Sequence, residues 1–239
     1  MHKPAASQLF VSLLFGFTLG CTELAALQIP IPGFPMAELD ENTVAAGLRQ
    51  ALEVGTQRAA STLARTGGFS DDPLLRLALP SELRDIAGAL RTIGFSSQVD
   101  ELELSMNRAA EAAVAEATPV FASAIRSMTI ADAFEILNGD ESAATDYFRL
   151  RTTDALRTRF APIAREGMRK AGLYRAYREI ATLYQRAVPF TTMPAPDLES
   201  YVADQALAGL FSKIAKEEAK IRSEPAARTT ELLRRVFGR

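Results

Sequence analysis

From about residue 40 to the C-terminus, apolar side chains recur at intervals of three and four, and glycine or proline breaks the pattern at frequent points. That period puts the apolar groups on one face of an α-helix. No stretch of alternating polar and apolar residues competes with it. Ala, Leu, Arg and Glu dominate, all of them good helix formers. The pattern predicts helix after helix, and the absence of a repeat of fixed period argues against a solenoid. With 48% hydrophobic residues, such a region can bury a core without disulfides. The expected fold is all-α, a single irregular multi-helix bundle over residues 38–239.

Local punctuation sets the expected boundaries. Asp40 is the predicted cap of a first helix running to Arg65 and stopped by Gly67 and Gly68. Residues 69–80, with Asp71-Asp72-Pro73 followed by a leucine-rich run, are expected to be extended, as a short hairpin arm. Ser81 is expected to cap a second helix ending at Gly94. Ser96 or Ser97 then opens a long third helix, which Pro119 bends or ends. Thr129 and Asp132 resemble a capping box with Asp in place of the usual Glu, launching a short helix to Leu137. After the turn at Asn138-Gly139-Asp140, a helix from Ala143 to Phe160 is expected to be interrupted by Pro162. Helical pattern resumes to Gly172 and again over 174–188, before a loop at 189–196. Asp197 caps a long helix to Arg222, and Ser223-Glu224-Pro225 provides the start of a last helix ending near Phe237.

The first residues read as an export signal. His2 and Lys3 precede a short apolar core at 9–19, too short to span a bilayer as a permanent helix. Thr18-Leu19-Gly20-Cys21 resembles the bacterial lipobox, whose cysteine is diacylated on sulfur, although Leu is expected where Thr18 stands. Cys21 is the only cysteine, so residues 1–20 are expected to be removed and Cys21 to carry the lipid, with simple cleavage as the alternative. Thr22 rather than Asp follows it, which by resemblance to lipoprotein sorting rules favours the outer membrane, facing the periplasm. Residues 21–37 contain Pro30, Pro32 and Pro35 and read as a tether between membrane and bundle.

The residue types that are missing narrow the chemistry. The one histidine, His2, falls in the signal, and Cys21 is taken by lipid. Ser-His-Asp and Cys-His catalysis, ordinary zinc sites and haem ligation by His or Cys are therefore excluded in the processed chain. No glycine-rich phosphate loop, dinucleotide fingerprint or EF-hand loop is present, and no cofactor is expected. Any reaction would rest on carboxylates, Arg, Lys, Tyr, Ser or Thr, alone or with an oxygen-liganded cation. The net charge is −2, but residues 21–120 hold 7 basic against 14 acidic side chains and residues 121–239 hold 19 against 15. The halves are expected to pair with each other. An exported, net acidic chain is no nucleic-acid binder.

Three constellations carry the candidate site residues. On the third helix Asp100, Glu103, Asn107 and Glu111 form a polar stripe along the border of the apolar arc, fit for a cation or for arginines of a neighbouring helix. In the helix after Asp197, Glu218 falls among Leu207, Leu210, Phe211, Ile214 and Ile221 on the buried face, where a carboxylate must find a partner. Arg222, Arg108 and Arg228 are the candidates, so Asn107, Arg108, Glu111, Glu218, Arg222 and Arg228 make a candidate polar cluster, either a ligand site or a structural network. Tyr174, Tyr177 and Tyr184 lie near Arg175, Arg178 and Arg186, and residues 149–186 hold ten basic against three acidic side chains, a composition suited to anionic lipid, phosphate or glycan.

The run from Leu102 through Asn107, Arg108 and Glu111, together with Met128 to Ala133, Ile136 to Gly139, Ala143 to Phe148, Gly209 to Phe211, Glu217-Glu218, Ile221-Arg222 and Pro225 to Thr230, resembles the DUF4197 family of uncharacterised bacterial envelope proteins. The resemblance implies a signal-bearing, helical, secreted or lipid-anchored domain and no defined activity. The leading functional expectation is a non-enzymatic binding or scaffold module of the cell envelope, attached to the membrane by its N-terminal lipid and holding an envelope protein or small ligand. One alternative is a carboxylate-dependent enzyme on envelope glycan or phosphoester, because Glu141-Ser142 and Glu199-Ser200 match the dipeptide of helical peptidoglycan-cleaving enzymes. The other is an anionic-lipid-binding protein working through residues 149–186.

Overall fold

A computed structural model of the chain describes residues 40–170, 172–190, 192–224 and 234, all within one unit, Leu39–Arg239. Among them are eight helices: α1 (Glu41–Ala64), α2 (Ser81–Thr92), α3 (Ser96–Val114), α4 (Ala117–Ser127), α5 (Ile130–Asn138), α6 (Ala143–Lys170), α7 (Leu173–Ala187) and α8 (Leu198–Ser223). No strand occurs among the described residues, and none of their helices is long and apolar enough to cross a membrane. Residues 1–39, with the expected signal, tether and Cys21, lie outside the described residues, as do residues 225–233 and 235–239, which hold most of the expected last helix, Arg228 included.

Capping chemistry fixes three of the starts. The Asp40 carboxylate accepts the Thr43 N–H at 2.7 Å, and that of Asp197 accepts the Ser200 N–H at 3.0 Å. Thr129 and Asp132 form a reciprocal box: each backbone N–H donates to the other's side chain, at 2.9 and 3.0 Å. Asp does the work of the usual Glu there because its shorter reach suffices across one turn. Ser81 is not a cap. It is the first helical residue, its hydroxyl turned to Glu82 at 3.0 Å, and Pro80 stands at the cap position without a side-chain bond. Pro119 begins a new element rather than bending α3: it falls in the first turn of α4, where a missing N–H leaves no bond unmade.

Pro162 does not interrupt α6, contrary to expectation. The helix runs unbroken through it because Leu156, Phe160, Ala164 and Met168, spaced by four on either side, are all fully buried. Pro162 itself is exposed, so the carbonyl it frees faces water. Helices α3, α6 and α8 pack on one another at the centre, with α1 against α8, α4 and α5, and α7 against α3. Phe121 of α4 meets Phe148 of α6 and Phe211 of α8 edge to face, with ring centroids 5.2 and 6.3 Å apart, an arrangement that favours aromatic rings in a core.

The hairpin arm expected near 69–80 does not form. Turns over 66–75 lead into an irregular run at 76–80, yet Phe69, Leu77 and Leu79 are buried in the core. Gly67 opens the segment at φ +87°, a left-handed conformation that glycine adopts without strain. Phe69 then sits so close to Gly209 of α8 that a Cβ there would lie 2.6 Å from its ring. The segment is a packed loop because its leucines fill space between helices and its backbone finds side-chain partners, leaving no row of free amides for a strand.

Candidate functional site

The α3 stripe is the seam on which that loop and α2 are fastened. At its C-terminal end the Glu111 carboxylate, 4% exposed, accepts the Gly67 N–H at 3.0 Å and the Phe69 N–H at 3.4 Å. Its other oxygen takes Arg108 at 2.7 Å. One turn back, the Asn107 amide pairs with both backbone groups of Leu77: it accepts the N–H at 2.9 Å and donates to the carbonyl at 2.9 Å. Its amide nitrogen also donates to Glu103 O at 2.7 Å. Asn107 thus gives Leu77 what a neighbouring strand would give. Glu103 lies within 3.4 Å of Arg76 and 3.2 Å of Arg91, and Asp100 takes Arg91 at 2.5 Å. Bonding to Asp100 holds the Arg91 guanidinium above its ordinary pKa, against the effect of its partial burial.

A second cluster forms where α8 crosses the junction of α5 and α6. Glu218, 8% exposed, accepts Ala144 N–H at 3.0 Å, Thr145 N–H at 2.9 Å and the Thr145 hydroxyl at 2.8 Å. It therefore caps α6 from another helix, matching negative charge to the positive end of the helix dipole. Arg222 donates to Glu218 at 3.0 and 3.1 Å and to the Ile136 carbonyl near the end of α5 at 2.8 Å. Beside the pair lies a cavity of about 30 Å³, with Leu52, Gly55, Phe148 and Ile214 among its apolar walls. That is room for a water molecule or two, not for a metabolite.

Asn107, Arg108 and Glu111 thus gather around the loop at 67–77, and Glu218 and Arg222 around the α5–α6 turn. Of these five, Glu218 and Arg222 border the cavity. Arg108 pairs with Glu111, and Arg222 is the partner of Glu218. Among the described residues no three His, Cys, Asp or Glu side chains are grouped to hold a metal ion, and no buried side-chain N or O lacks a hydrogen bond. The wheel placed these residues at the buried border, and spacing put Arg222 beside Glu218, but neither gave a sign of the backbone groups they bond, in the loop at 67–77 and the first turn of α6.

The remaining expectations fall as follows. Glu141 is exposed in the turn before α6. Glu199, in the first turn of α8, takes Arg165 and the Tyr174 hydroxyl, each at 2.6 Å. Burial of the Tyr174 ring, then its bond to Glu199 and the charge of that carboxylate, push the phenol up to about 12. The Tyr177 hydroxyl donates to the Pro194 carbonyl, so these two tyrosines pin the start of α8 and the loop before it. Arg175 reaches Glu101 at 3.0 Å. Charge pairing between the halves is sparse rather than general: Arg175–Glu101 and Arg159–Glu116 cross, whereas Arg91, Arg157, Arg165 and Arg169 pair within their own half. The second half pairs with itself because α6 packs along α8, where Asp204 and Glu199 meet Arg157 and Arg165.

The profile of a family described as "Protein of unknown function (DUF4197)" matches residues 38–238. Searches of curated proteins and of solved structures return no match.

Proposed function

The chain belongs to the DUF4197 family, and on that premise we propose that it is a non-enzymatic binding or scaffold module of the cell envelope, held at the membrane by a lipid on Cys21. The observation that carries the reading is the state of Glu111 and Glu218. Each is buried, and each is bonded to two backbone amides and an arginine. A carboxylate whose oxygens are taken up in this way serves as a structural acceptor, whereas a general acid or base must reach a substrate within hydrogen-bond distance. The bundle interior is thus occupied with holding helices and loop together, and recognition falls to its outer surface. The lipobox-like Thr18-Leu19-Gly20-Cys21 and the proline-rich stretch behind it support attachment to a membrane facing the periplasm.

Two measurements test this. Mass spectrometry of the protein from membranes should find an acylated N-terminal Cys21, and Cys21→Ala should move the protein to the soluble fraction; an unprocessed chain in the cytosol would sink the reading. Purified protein incubated with isolated envelope glycan should release no soluble fragments. Release that Glu199→Gln or Glu141→Gln abolishes would replace the binding module with an enzyme.

A further inference from the structure

The arginines of α6 divide into two groups. Arg157 bonds to Asp204 at 2.9 Å, Arg165 to Glu199 at 2.6 Å and Arg169 to Glu166 at 2.6 Å, and Arg149 bonds to Asp146. Arg151 and Arg159 make no such bond. Their nearest carboxylates, Asp132 and Glu116, stand 3.8 and 3.9 Å away, beyond hydrogen-bond distance. Both of these arginines line one open groove of about 370 Å³ between α4 and α6, and none of the four hydrogen-bonded ones does. Small side chains, Ala124 and Ala155, keep the groove open, Ser123 and Ser127 add hydroxyls from α4, and no carboxylate lines it. The Arg151 guanidinium lies over the Tyr147 ring, 5.7 Å from its centroid, which steadies it without using its donors.

We propose that this groove binds a phosphate ester, with the anionic oxygens held by Arg151 and Arg159 and by the Ser123 hydroxyl. Eight residues apart, the two arginines are separated by about 12 Å along the helix, a span that one ester bridges once Arg151 swings off the Tyr147 ring and both side chains turn inward. Guanidinium groups favour phosphate because their fixed fork of donors matches its oxygens. The groove is independent of how the chain is anchored, so Cys21→Ala leaves it intact.

Full-length protein is titrated with glycerol phosphate by calorimetry. The expected result is saturable binding that weakens as salt rises. Arg151→Gln with Arg159→Gln lowers the affinity by about tenfold or more, with helical content and unfolding midpoint unchanged. Arg149→Gln with Arg157→Gln removes the same charge outside the groove and leaves affinity within about twofold. Vesicles containing phosphatidylglycerol form the second arm. Binding to them that the groove variant loses and glycerol phosphate competes away identifies a lipid headgroup as the source, whereas binding of the soluble ester alone identifies a free one. No saturable binding at about 10 mM ester, equal weakening by both pairs of substitutions, or equal affinity for a dicarboxylate of similar length would each overturn the proposal.

Discussion

Glu218 is the residue on which most local structure converges, since its two oxygens serve the first turn of α6 and the guanidinium of Arg222 together. Glu218→Ala would leave two amides without acceptors and a guanidinium without its counter-charge. Its unfolding free energy, measured in urea, should fall by about 3–5 kcal/mol, and Glu218→Gln, which keeps one acceptor, should cost about 2 kcal/mol. The helical wheel made the burial of Glu218 legible, and Arg222 followed from spacing. The amides of Ala144 and Thr145 did not, because nothing in a local pattern records which helix end a distant residue will meet. Tyr174 gives a second test at this scale. Its proton is held more tightly in the folded chain than in the unfolded one, where the phenol ionises near 10. The stabilisation is complete below pH 10 and is lost as pH rises toward about 12. Burial also raises Tyr147, Tyr177 and Tyr201, so spectrophotometric titration should show tyrosine ionisation drawn out above pH 10, and Glu199→Gln should move its latest part, from Tyr174, back toward 10.

At the scale of helices, α6 departs furthest from its sequence pattern. Proline inside a helix removes one backbone bond and crowds the preceding turn, yet burial of Phe160 and Ala164 on either side holds α6 in one piece. Replacing Pro162 by Ala restores that bond at an exposed position and should stabilise the protein by about 1–3 kcal/mol, read as a higher melting temperature; a lower one would mean that the proline ring itself is needed for packing. Helix starts with an acidic or hydroxyl cap, at Asp40, Thr129 and Asp197, were legible because capping is local chemistry. The packed loop at 66–80 was not. Its leucines and turn residues suit an extended arm equally well, and only the arrival of Asn107 and Glu111 from α3 decides between the two.

For the molecule as a whole, α8 touches α1, α3 and α6, so the bundle should come apart as one cooperative unit. Urea unfolding followed by far-ultraviolet circular dichroism and by tyrosine fluorescence, the chain having no tryptophan, should give coincident single transitions. An early second transition confined to tyrosine would instead show α7 and its loop leaving first. The all-α class and single bundle were legible from periodicity alone, whereas the groove between α4 and α6 was not, because it depends on which arginines of one helix find acids and which do not. Glu218 also has a consequence in time. The carboxylate that closes the start of α6 stands 74 residues beyond Ala144 in the chain. The middle of the chain is therefore complete only once α8 has folded against it, and α6 is the helix whose beginning waits longest for its partner.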